Sequence, residues 1–551
     1  MPDRRDAARR TGNSVAEAVE PPAAAPARVR AGGSSRVALG ILLSRITGLI
    51  RERVIGHYFG VESIIADAFR AALRIPNLLS NLFGEGVLSA SFVTVYSKLR
   101  ARRLDDEADD LAGAVFGILS LICSVLVLLG VLLTPVLIDL IAPGFTGEKR
   151  ALTIHIVRIL FPGTGLLVMS AWCLGVLNSH RRFLLSYTAP VVLNAAVIAV
   201  AIFFGRYTPE NPLVLYVAWG YVAGSALQFL VQLPRVLELL PYFRPALDFH
   251  SQHVRTVIRN FGPIFVSRGV VQISAYIDQM IASSLPTGAV AALGYGQAIS
   301  VLPISLFSMS ISAAELPALS SAIGSEEEIA AVIRVRLSAG LRRIAFFIIP
   351  SAVAFLVLGD VLVALLYESG RFQRDGVVYV WSVIAGSSVG LLATSLGRLY
   401  SSAFYALLDT KTPLRFAVIR VILTTALGLL CAFPLPHWLG IEQKWGVAGL
   451  TASAGVAGWV EFALLRHALA RRVGKTPLSV DFTLKLWSVA LLGAGLGYSL
   501  KQALGTAHPL PLGVIVLSLY GAVYFGGTAL AGVPESKTTL AAIFRRIGVK
   551  R

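Results

Sequence analysis

Residues 111–133 read LAGAVFGILSLICSVLVLLGVLL, 23 consecutive positions without a charged side chain. A helix of this length, rising about 1.5 Å per residue, crosses the ~30 Å hydrocarbon core of a bilayer. The rest of the 551-residue chain has the same character, with 55% hydrophobic residues, 15% charged residues and a mean hydropathy of +0.72. Soluble proteins carry about 25% charged residues. The sequence therefore predicts an all-α polytopic membrane protein.

Similar apolar stretches recur along the chain, and we count fourteen of them. They start near Val37, Ile64, Leu111, Leu152, Phe183, Leu213, Val257, Ala289, Ile344, Val377, Leu414, Val447, Phe482 and Pro511. The loops after even-numbered spans hold 21 basic residues, and those after odd-numbered spans hold 7. By the positive-inside rule, the basic loops and both termini are cytoplasmic. Most of the net charge of +18 is thus explained by topology, and we expect no nucleic-acid partner.

A long basic connection divides the chain near its middle. We expect six parts, in chain order: a disordered basic cytoplasmic tail at 1–35, an N-terminal lobe of helices 1–6 at 36–234, a cytoplasmic linker at 235–256, a C-terminal lobe of helices 7–12 at 257–475, helices 13 and 14 at 476–534, and a second basic cytoplasmic tail at 535–551. Transporters commonly bind their substrate between two such lobes.

No sequence motif indicates an enzyme or a bound cofactor. The chain contains neither GxxxxGK[ST] nor HExxH, and its cysteines, Cys123, Cys173 and Cys431, lie singly in apolar stretches. An ATP-hydrolysing loop and a structural zinc site therefore have no support. We expect a protein that is not an enzyme, holds no cofactor or metal, and transports without hydrolysing ATP.

Polar residues inside the spans are the strongest functional signal, because an ion in mid-bilayer costs about 2.5–3.5 kcal/mol on insertion scales. They are Arg45, Arg51 and Glu52 in span 1; Asp67, Arg70 and Arg74 in span 2; Arg268 and Gln272 in span 7; Gln297 and Glu315 in span 8; and Arg398 in span 10. Arg45 lies too far from either end of its span to reach the interface. Arginine outnumbers acid in this set, and its planar guanidinium suits phosphate oxygens. The set predicts a central cavity for an anionic, phosphorylated cargo.

Two subsets of these polar residues are each predicted to lie on one face of a helix. Asp67, Arg70 and Arg74 follow an i, i+3, i+7 spacing and share one helix face, which forms either a wall of the cavity or an intrahelical ladder of ion pairs. At 100° per residue, Gln297, Ser308 and Glu315 fall on one stripe of span 8. We expect this second stripe to face the cavity as well.

Several segments resemble signatures of the MurJ/MviN lipid II flippase family. They are SRITGLIRE (44–52), DAFRAALRIPNLLSNLFGEGVLSASFV (67–93), APGF (142–145), GVLNSHRRFLLSYTAPVVLN (175–194), LQFLVQLPRV (227–236), FGPIFVSRGVVQIS (261–274), ELPALS (315–320) and FYALLDTKTP (404–413). The resemblance implies the fourteen-helix fold of the MOP exporters. It also implies that undecaprenyl-pyrophosphate-linked disaccharide pentapeptide moves from the cytoplasmic to the periplasmic leaflet of the bacterial inner membrane by alternating access.

The resemblance also assigns residues to the cavity. Position by position, it implies substrate-binding roles for Arg45, Arg51, Asp67, Arg74 and Arg398. Ala298 stands where the family has a cavity arginine in span 8, and we hypothesise that Arg268 on the neighbouring span supplies that charge. Arg268 therefore joins the substrate-binding set, while Glu52, Arg70, Gln272, Gln297 and Glu315 support it.

One further position bears on ion coupling. Asp278 stands where some members of the family coordinate sodium, but Gly428 and Ala432 replace the partners that they have in span 11. These replacements speak against a sodium site.

Two other functions stay open at this point. A related exporter of another polyprenyl-linked oligosaccharide or of an organic anion would share the fold, and Ala298 keeps that reading open. A non-transporting scaffold would recruit cell-wall synthesis enzymes through the basic tails, but it would gain nothing from arginines inside the membrane. We expect lipid II and membrane lipids as partners, with cell-wall synthesis enzymes as further candidates.

Overall fold

The computed structural model describes the chain over 31–546, except 84–87, 322–324, 477 and 506–507. Its description of side chains leaves out 31–39, 89–90, 263–274 and 542–546. Within these limits the secondary structure is helical, and the only β-type contact is an isolated bridge between Ser369 and Phe372. The predicted all-α class is confirmed.

The long helices follow one another with short connections. In chain order they are α1 (Ala31–Phe59), α2 (Ile64–Phe83), α3 (Asp105–Leu132), α4 (Gly147–Ser179), α5 (Phe183–Gly205), α6 (Glu210–Leu239), α7 (Gln252–Ser283), α8 (Ala289–Ser320), α9 (Glu326–Val357), α10 (Arg374–Ala406), α11 (Lys411–Ala432), α12 (Gly446–Val473), α13 (Val480–Leu504), α14 (Pro509–Leu530) and α15 (Pro534–Arg546). Short helices lie at Thr94–Ala101, Thr134–Ile141, Gly359–Tyr367 and Pro434–Leu439.

Among the described residues, eleven helical segments are long and apolar enough to cross a membrane. Of the expected spans, α1, α2 and α7 fall outside this group, although they contain 29, 20 and 32 residues. Length is therefore not what sets them apart. These three helices carry most of the charged residues singled out above, so their mean hydropathy is lower. The polytopic architecture is confirmed, while the count of fourteen spans stays a prediction.

Several boundaries differ from those expected. Helix α1 begins at Ala31, ahead of the expected start of the first span at 36, and 1–30 lie outside the described residues. The irregular connection between α6 and α7 is shorter than the expected linker and covers only 240–251. The expected C-terminal tail begins inside α15, a helix of 13 residues.

The helices pack in two groups. In the first, α5 packs along α1 and α6, and α4 packs along α2 and α6; in the second, α12 packs along α10 and α11, and α9 packs along α10. Helices α13 and α14 pack on each other. In addition, α13 packs on α9, and α14 packs on the short helix Gly359–Tyr367. A Cβ on Gly390 of α10 would lie 2.3 Å from Gly455 Cα of α12, so these two backbones are in direct contact. Small residues at such crossings allow close packing of helices in a membrane.

The connection between the two groups is held against α3. A Cβ on Gly113 would lie 2.1 Å from the carbonyl oxygen of Arg244, and one on Gly117 would lie 2.3 Å from that of Ala246. The two glycines, one helical turn apart, thus accommodate the backbone of 240–251. Val257 at the start of α7 is also buried in a hydrophobic cluster formed with α3 and α4. The beginning of α7 therefore packs on the first helix group.

Candidate functional site

The two helix groups meet along α1, α2, α7 and α8. We call the side with the α1–α2 turn at 60–63 and the α7–α8 turn at 284–288 the loop side. The opposite side, where 240–251 contacts the start of α3, is called the tail side. Of the predicted site residues, Arg51, Glu52, Arg70 and Arg74 lie between these two sides, along the junction of the groups.

Glu52 joins two of the predicted arginines. Its Oε1 lies 2.7 Å from Arg51 Nη2, and its Oε2 forms an ion pair with Arg70 Nη2. The Arg70 guanidinium also lies 3.9 Å from the ring centroid of Tyr295 on α8, a cation–π contact between the helix groups. The Glu52 side chain is only 10% exposed. The cluster therefore holds two cations and one anion in a buried position and keeps one positive charge in excess.

Arg51 also reaches α5. Its Nη1 donates a hydrogen bond to Asn194 Oδ1 at 3.1 Å, and Asn194 Nδ2 donates to Thr47 Oγ1 at 3.1 Å. The Nε of Arg51 is buried without a hydrogen-bond partner in the described part of the chain. Arg45, about two turns earlier on α1, is exposed. Asn194 escaped the sequence reasoning because a neutral amide carries no large insertion cost, although it closes one of the family-like segments.

Arg74 connects α2 to both α7 and α8. Its Nε donates to Gln279 Oε1 and its Nη2 donates to Gln297 Oε1, each at 2.6 Å. The Tyr276 hydroxyl donates to the carbonyl oxygen of Arg74 at 3.0 Å. Within the described residues, Gln279 Nε2 and Asp278 Oδ1 are buried without a hydrogen-bond partner. Because buried polar atoms are normally paired, these atoms indicate a place where water or a polar ligand binds.

Asp67 presents no free charge to this junction, because its carboxylate is buried and paired. It is fully buried, and its two oxygens accept hydrogen bonds from the backbone nitrogens of Gly288 and Ala291, each at 2.8 Å. Lys149 Nζ lies 2.5 Å from Asp67 Oδ2. A carboxylate at the start of a helix satisfies free N–H groups and the positive end of the helix dipole. Asp67 therefore fastens α2 to the N-terminus of α8.

Further contacts close the loop side. Arg53 Nη1 donates to the carbonyl oxygens of Leu365 and Leu366, at 2.8 and 2.9 Å, and the backbone nitrogen of Arg371 donates to His57 O at 2.9 Å. Gly60 has a positive φ of 66°, and a Cβ there would lie 2.9 Å from the carbonyl oxygen of Arg371. The two helix groups are thus joined backbone to backbone on this side.

A second charged cluster lies in the other helix group, and it includes two residues that the sequence reasoning missed. Arg420 Nη1 of α11 lies 3.2 Å from Glu461 Oε2 of α12. Arg398 of α10 is exposed and interacts electrostatically with both, while Asp278 interacts with Arg74 and Arg420. The rule that a charge inside a span is costly would have found Arg420 and Glu461 as well. This cluster too contains two arginines for one glutamate.

The expected stripe on α8 is wrong in its geometry. Gln297 accepts from Arg74, but the buried Ser308 donates to the carbonyl oxygen of Ser395 at 2.9 Å, and Glu315 pairs with Arg336 of α9 at 3.7 Å. The reason is the π-helical turn Ile304–Met309, whose wider turn shifts the register that 100° per residue assumes. Glu315 therefore lies against α9 and away from Arg74.

Arg268 and Gln272 lie among 263–274, whose side chains fall outside the structural description. The backbone there is part of α7. The hypothesis that Arg268 replaces the missing arginine at Ala298 thus stays a prediction.

Apolar helices in two groups, joined on one side and lined at their junction by partly buried arginines, define a polytopic membrane transporter. A sequence model of the family described as lipid II flippase MurJ matches residues 55–515. The lipid II flippase MurJ of Burkholderia cenocepacia is 32% identical over 503 residues, which cover 88% of this chain and 94% of that protein. A probable lipid II flippase MurJ of Rhizobium tropici is 31% identical over 499 residues, covering 88% and 90%. The chain belongs to the MurJ family of lipid II flippases.

Solved structures support the fold. A lipid II flippase MurJ in an inward closed conformation matches with a TM-score of 0.73 at 23% identity, covering 90% of this chain and 98% of that one. An inward-facing multidrug resistance transporter of the MATE family, within the MOP superfamily, matches with a TM-score of 0.61 at 17% identity, covering 80% and 98%. The expected MOP exporter architecture is confirmed.

Proposed function

We propose that this protein flips lipid II, the undecaprenyl-pyrophosphate-linked peptidoglycan precursor, from the cytoplasmic to the periplasmic leaflet of the bacterial inner membrane. It does so by alternating access and without hydrolysing ATP. Both termini are cytoplasmic, so the loop side faces the periplasm. The observation that carries this proposal is the set of partly buried arginines Arg51, Arg70 and Arg74 at the junction of the two helix groups. In the described part of the chain this set outnumbers the acids that interact with it, Glu52 and Asp278.

This set suits a pyrophosphate chemically. Arg51 Nε and Gln279 Nε2 are buried donors without a partner in the described residues, so an anion that accepts from them removes an existing cost. A guanidinium keeps its charge when water is excluded, and it binds phosphate oxygens through bidentate hydrogen bonds. Arg45 lies on the face of α1 that carries Glu52, seven residues nearer the tail side, where a cytoplasmic substrate enters. The exposed Arg398 offers a second contact for an anion in the other helix group.

The release step follows from the loop-side contacts. When the substrate is to leave toward the periplasm, the bonds of Asp67 to Gly288 and Ala291 and those of Arg53 to Leu365 have to open. Water then enters between the helix groups and raises the local dielectric constant, which weakens each contact between arginine and phosphate. In this scheme Asp67 positions the helices and does not bind the cargo.

The expected division into lobes at 36–234 and 257–475 becomes part of the proposal, with the cleft between them. The lobe boundary does not coincide with the packing at Val257, because this first residue of the second lobe packs with the first helix group. Cell-wall synthesis enzymes stay candidate partners.

Rescue of a bacterium depleted of its own flippase tests the proposal. We expect the wild-type chain to restore growth, and we expect Arg51→Ala and Arg74→Ala to fail although both reach the membrane at wild-type levels. Arg206→Ala, at the exposed end of α5, serves as the matched loss of a cation and should rescue fully. Rescue by both cleft variants would contradict the proposed role of the arginines, and failure of the wild-type chain would contradict lipid II as the cargo.

A further inference from the structure

A cavity of about 570 Å³ lies in the second helix group, beneath the short helix Pro434–Leu439. Its wall combines Trp381, Ser382 and Ala385 of α10 with Trp445, Ala448 and Ala452 at the start of α12. This volume falls within the ~300–1,000 Å³ that is typical of ligand pockets.

The cavity lies on the seam of α10 and α12. Its lining residues on α10 run from Val378 to Gly386, ~12 Å at the helical rise. One leaflet contributes ~15 Å of hydrocarbon, so the cavity lies within the depth of a single leaflet. Farther toward the tail side, the exposed Val389 of α10 and Val456 and Trp459 of α12 continue the apolar surface of the seam. We call the cavity and these three residues together the outer groove.

The outer groove faces away from the charged junction. Val389 and Arg398 are nine residues apart on α10, which at 100° per residue places them on opposite faces of the helix. The contact between Gly390 and Gly455 leaves no passage between α10 and α12. A molecule held by the junction arginines therefore cannot lay its tail in the outer groove without leaving the protein.

Three polar side chains along the outer groove already donate hydrogen bonds within the protein. The Ser382 hydroxyl donates to Tyr379 O at 2.7 Å, and Trp381 Nε1 donates to Phe355 O at 3.2 Å. Farther along, Trp459 Nε1 donates to Val389 O at 2.7 Å. With these donors used within the protein, the groove favours an apolar occupant over a polar one.

The mouth of the outer groove has the composition of a membrane–water boundary. Trp438 and Leu439 of the short helix are 69% and 63% exposed, and indole rings concentrate at such boundaries. Lys444 lies there beside the Trp445 ring, 5.3 Å from its centroid, and 3.2 Å from the exposed carboxylate of Glu442. Glu62 and Asp375 also act electrostatically on this ammonium, so carboxylates of the protein already balance its charge.

We propose that the outer groove is a phospholipid site, which takes one acyl chain from the leaflet on the loop side. The occupant is a bilayer phospholipid because the cavity is no deeper than one leaflet, whereas a polyprenyl tail is far longer. The site is separate from the transport cleft and stays filled in both directions of access, since neither α10 nor α12 has to separate from the other.

Photo-labelling tests this site. The full-length protein is reconstituted in vesicles of phosphatidylethanolamine and phosphatidylglycerol that contain a phospholipid with a diazirine at mid-chain. After irradiation, peptides containing 378–389 and 445–459 should carry several-fold more label than those of the other bilayer-facing helices. Ala452→Phe, which fills the groove, should remove most of this excess. Leu491→Phe adds an aromatic ring on the 53% exposed surface of α13 and should leave the labelling unchanged.

Two results would overturn the assignment. Even labelling of all bilayer-facing helices in the wild-type protein would show that the groove does not select a lipid, and this result does not depend on whether any variant folds. A diazirine-bearing polyprenyl phosphate that labels the same peptides, and that excess phospholipid fails to displace, would assign the groove to the cargo tail instead.

Discussion

Asp67 allows a direct test of how the loop side stays closed. Its carboxylate accepts from the backbone nitrogens of Gly288 and Ala291 and contacts Lys149 Nζ, and the side chain is fully buried. Replacement by alanine removes all three contacts and leaves two helix N-terminal N–H groups and one ammonium without partners. We expect Asp67→Ala to move the protein toward the state that is open on the loop side.

The size of the shift follows from the contacts that are lost. Hydrogen bonds to a charged group contribute about 1.5–3 kcal/mol each, and a helix N-terminus adds up to ~2 kcal/mol in a partly buried geometry. Water recovers part of this energy once the side opens, so we expect a net change of about 2–4 kcal/mol. At 1.4 kcal/mol per factor of ten, the ratio of closed to open molecules should fall roughly 30- to 1,000-fold.

The distance between spin labels at Thr146→Cys and Ser284→Cys measures this ratio, in a protein whose native cysteines are replaced by serine. Both positions are exposed on the loop side, one in each helix group. They flank a direct contact in which Gly144 N donates to Ser283 Oγ at 3.2 Å. We expect a longer distance to become the main population in the Asp67→Ala variant.

Asp139→Ala is the matched control. This carboxylate is exposed and pairs with Arg150 of its own helix group, at 2.6 Å, so its loss should leave the distances unchanged. A distance distribution for Asp67→Ala that equals that of the wild-type protein would refute the reasoning, because the two bonds to α8 would then contribute nothing to closure.

Three further predictions concern other parts of the molecule. Glu461→Gln frees its arginine partner on α11, so undecaprenyl pyrophosphate should bind several-fold tighter in a titration, and weaker binding would contradict this role. Gly113→Val pushes a side chain into the α6–α7 connection, an overpacking of about 1–3 kcal/mol, and proteolysis there should accelerate; an unchanged rate would show that the connection is not held. Burial raises the pKa of Asp360, but hydrogen bonds from Lys501 and Arg374 outweigh it and hold this pKa below its usual value. The pairing therefore stabilises the fold above the unfolded-state pKa of about 3.9 and is lost as pH falls through the folded-state pKa, so Lys501→Ala should lower Tm at pH 7 and have a smaller effect in acid.

The sequence was sufficient for the architecture because the bilayer imposes simple rules. Apolar stretches and alternating basic loops predict a polytopic helical bundle, and the same rules explain why α1, α2 and α7 are the more polar helices. The cost of a buried charge also located Arg51, Glu52, Arg70 and Arg74 in one region. Applied to every span, it would have included Arg420, which pairs in the second helix group.

Other features could not be derived from spacing. Asn194 and Gln279 are neutral amides, so nothing in their cost distinguishes them from packing residues until their partners on other helices are known. The displaced position of Glu315 depends on a π-helical turn, a local rearrangement that a uniform 100° per residue excludes. The contact of Asp67 with the N-terminus of α8 could not be derived either, because the sequence does not show which helix end lies opposite it.

The ratio of two arginines to one glutamate in both clusters has a physical reason. Arginines without any acid would repel each other in an empty cleft, and their desolvation would not be repaid. Glu52 holds Arg51 and Arg70 in place, and Glu461 does the same for Arg420 beside Arg398. Asp278 interacts with Arg74 and Arg420, but the arginines of the two clusters together still outnumber the acids. A single pyrophosphate can neutralise this excess only when the helix groups bring the clusters together. Charge neutralisation by the cargo can therefore favour closure around it, and water entering on the opposite side reverses that preference.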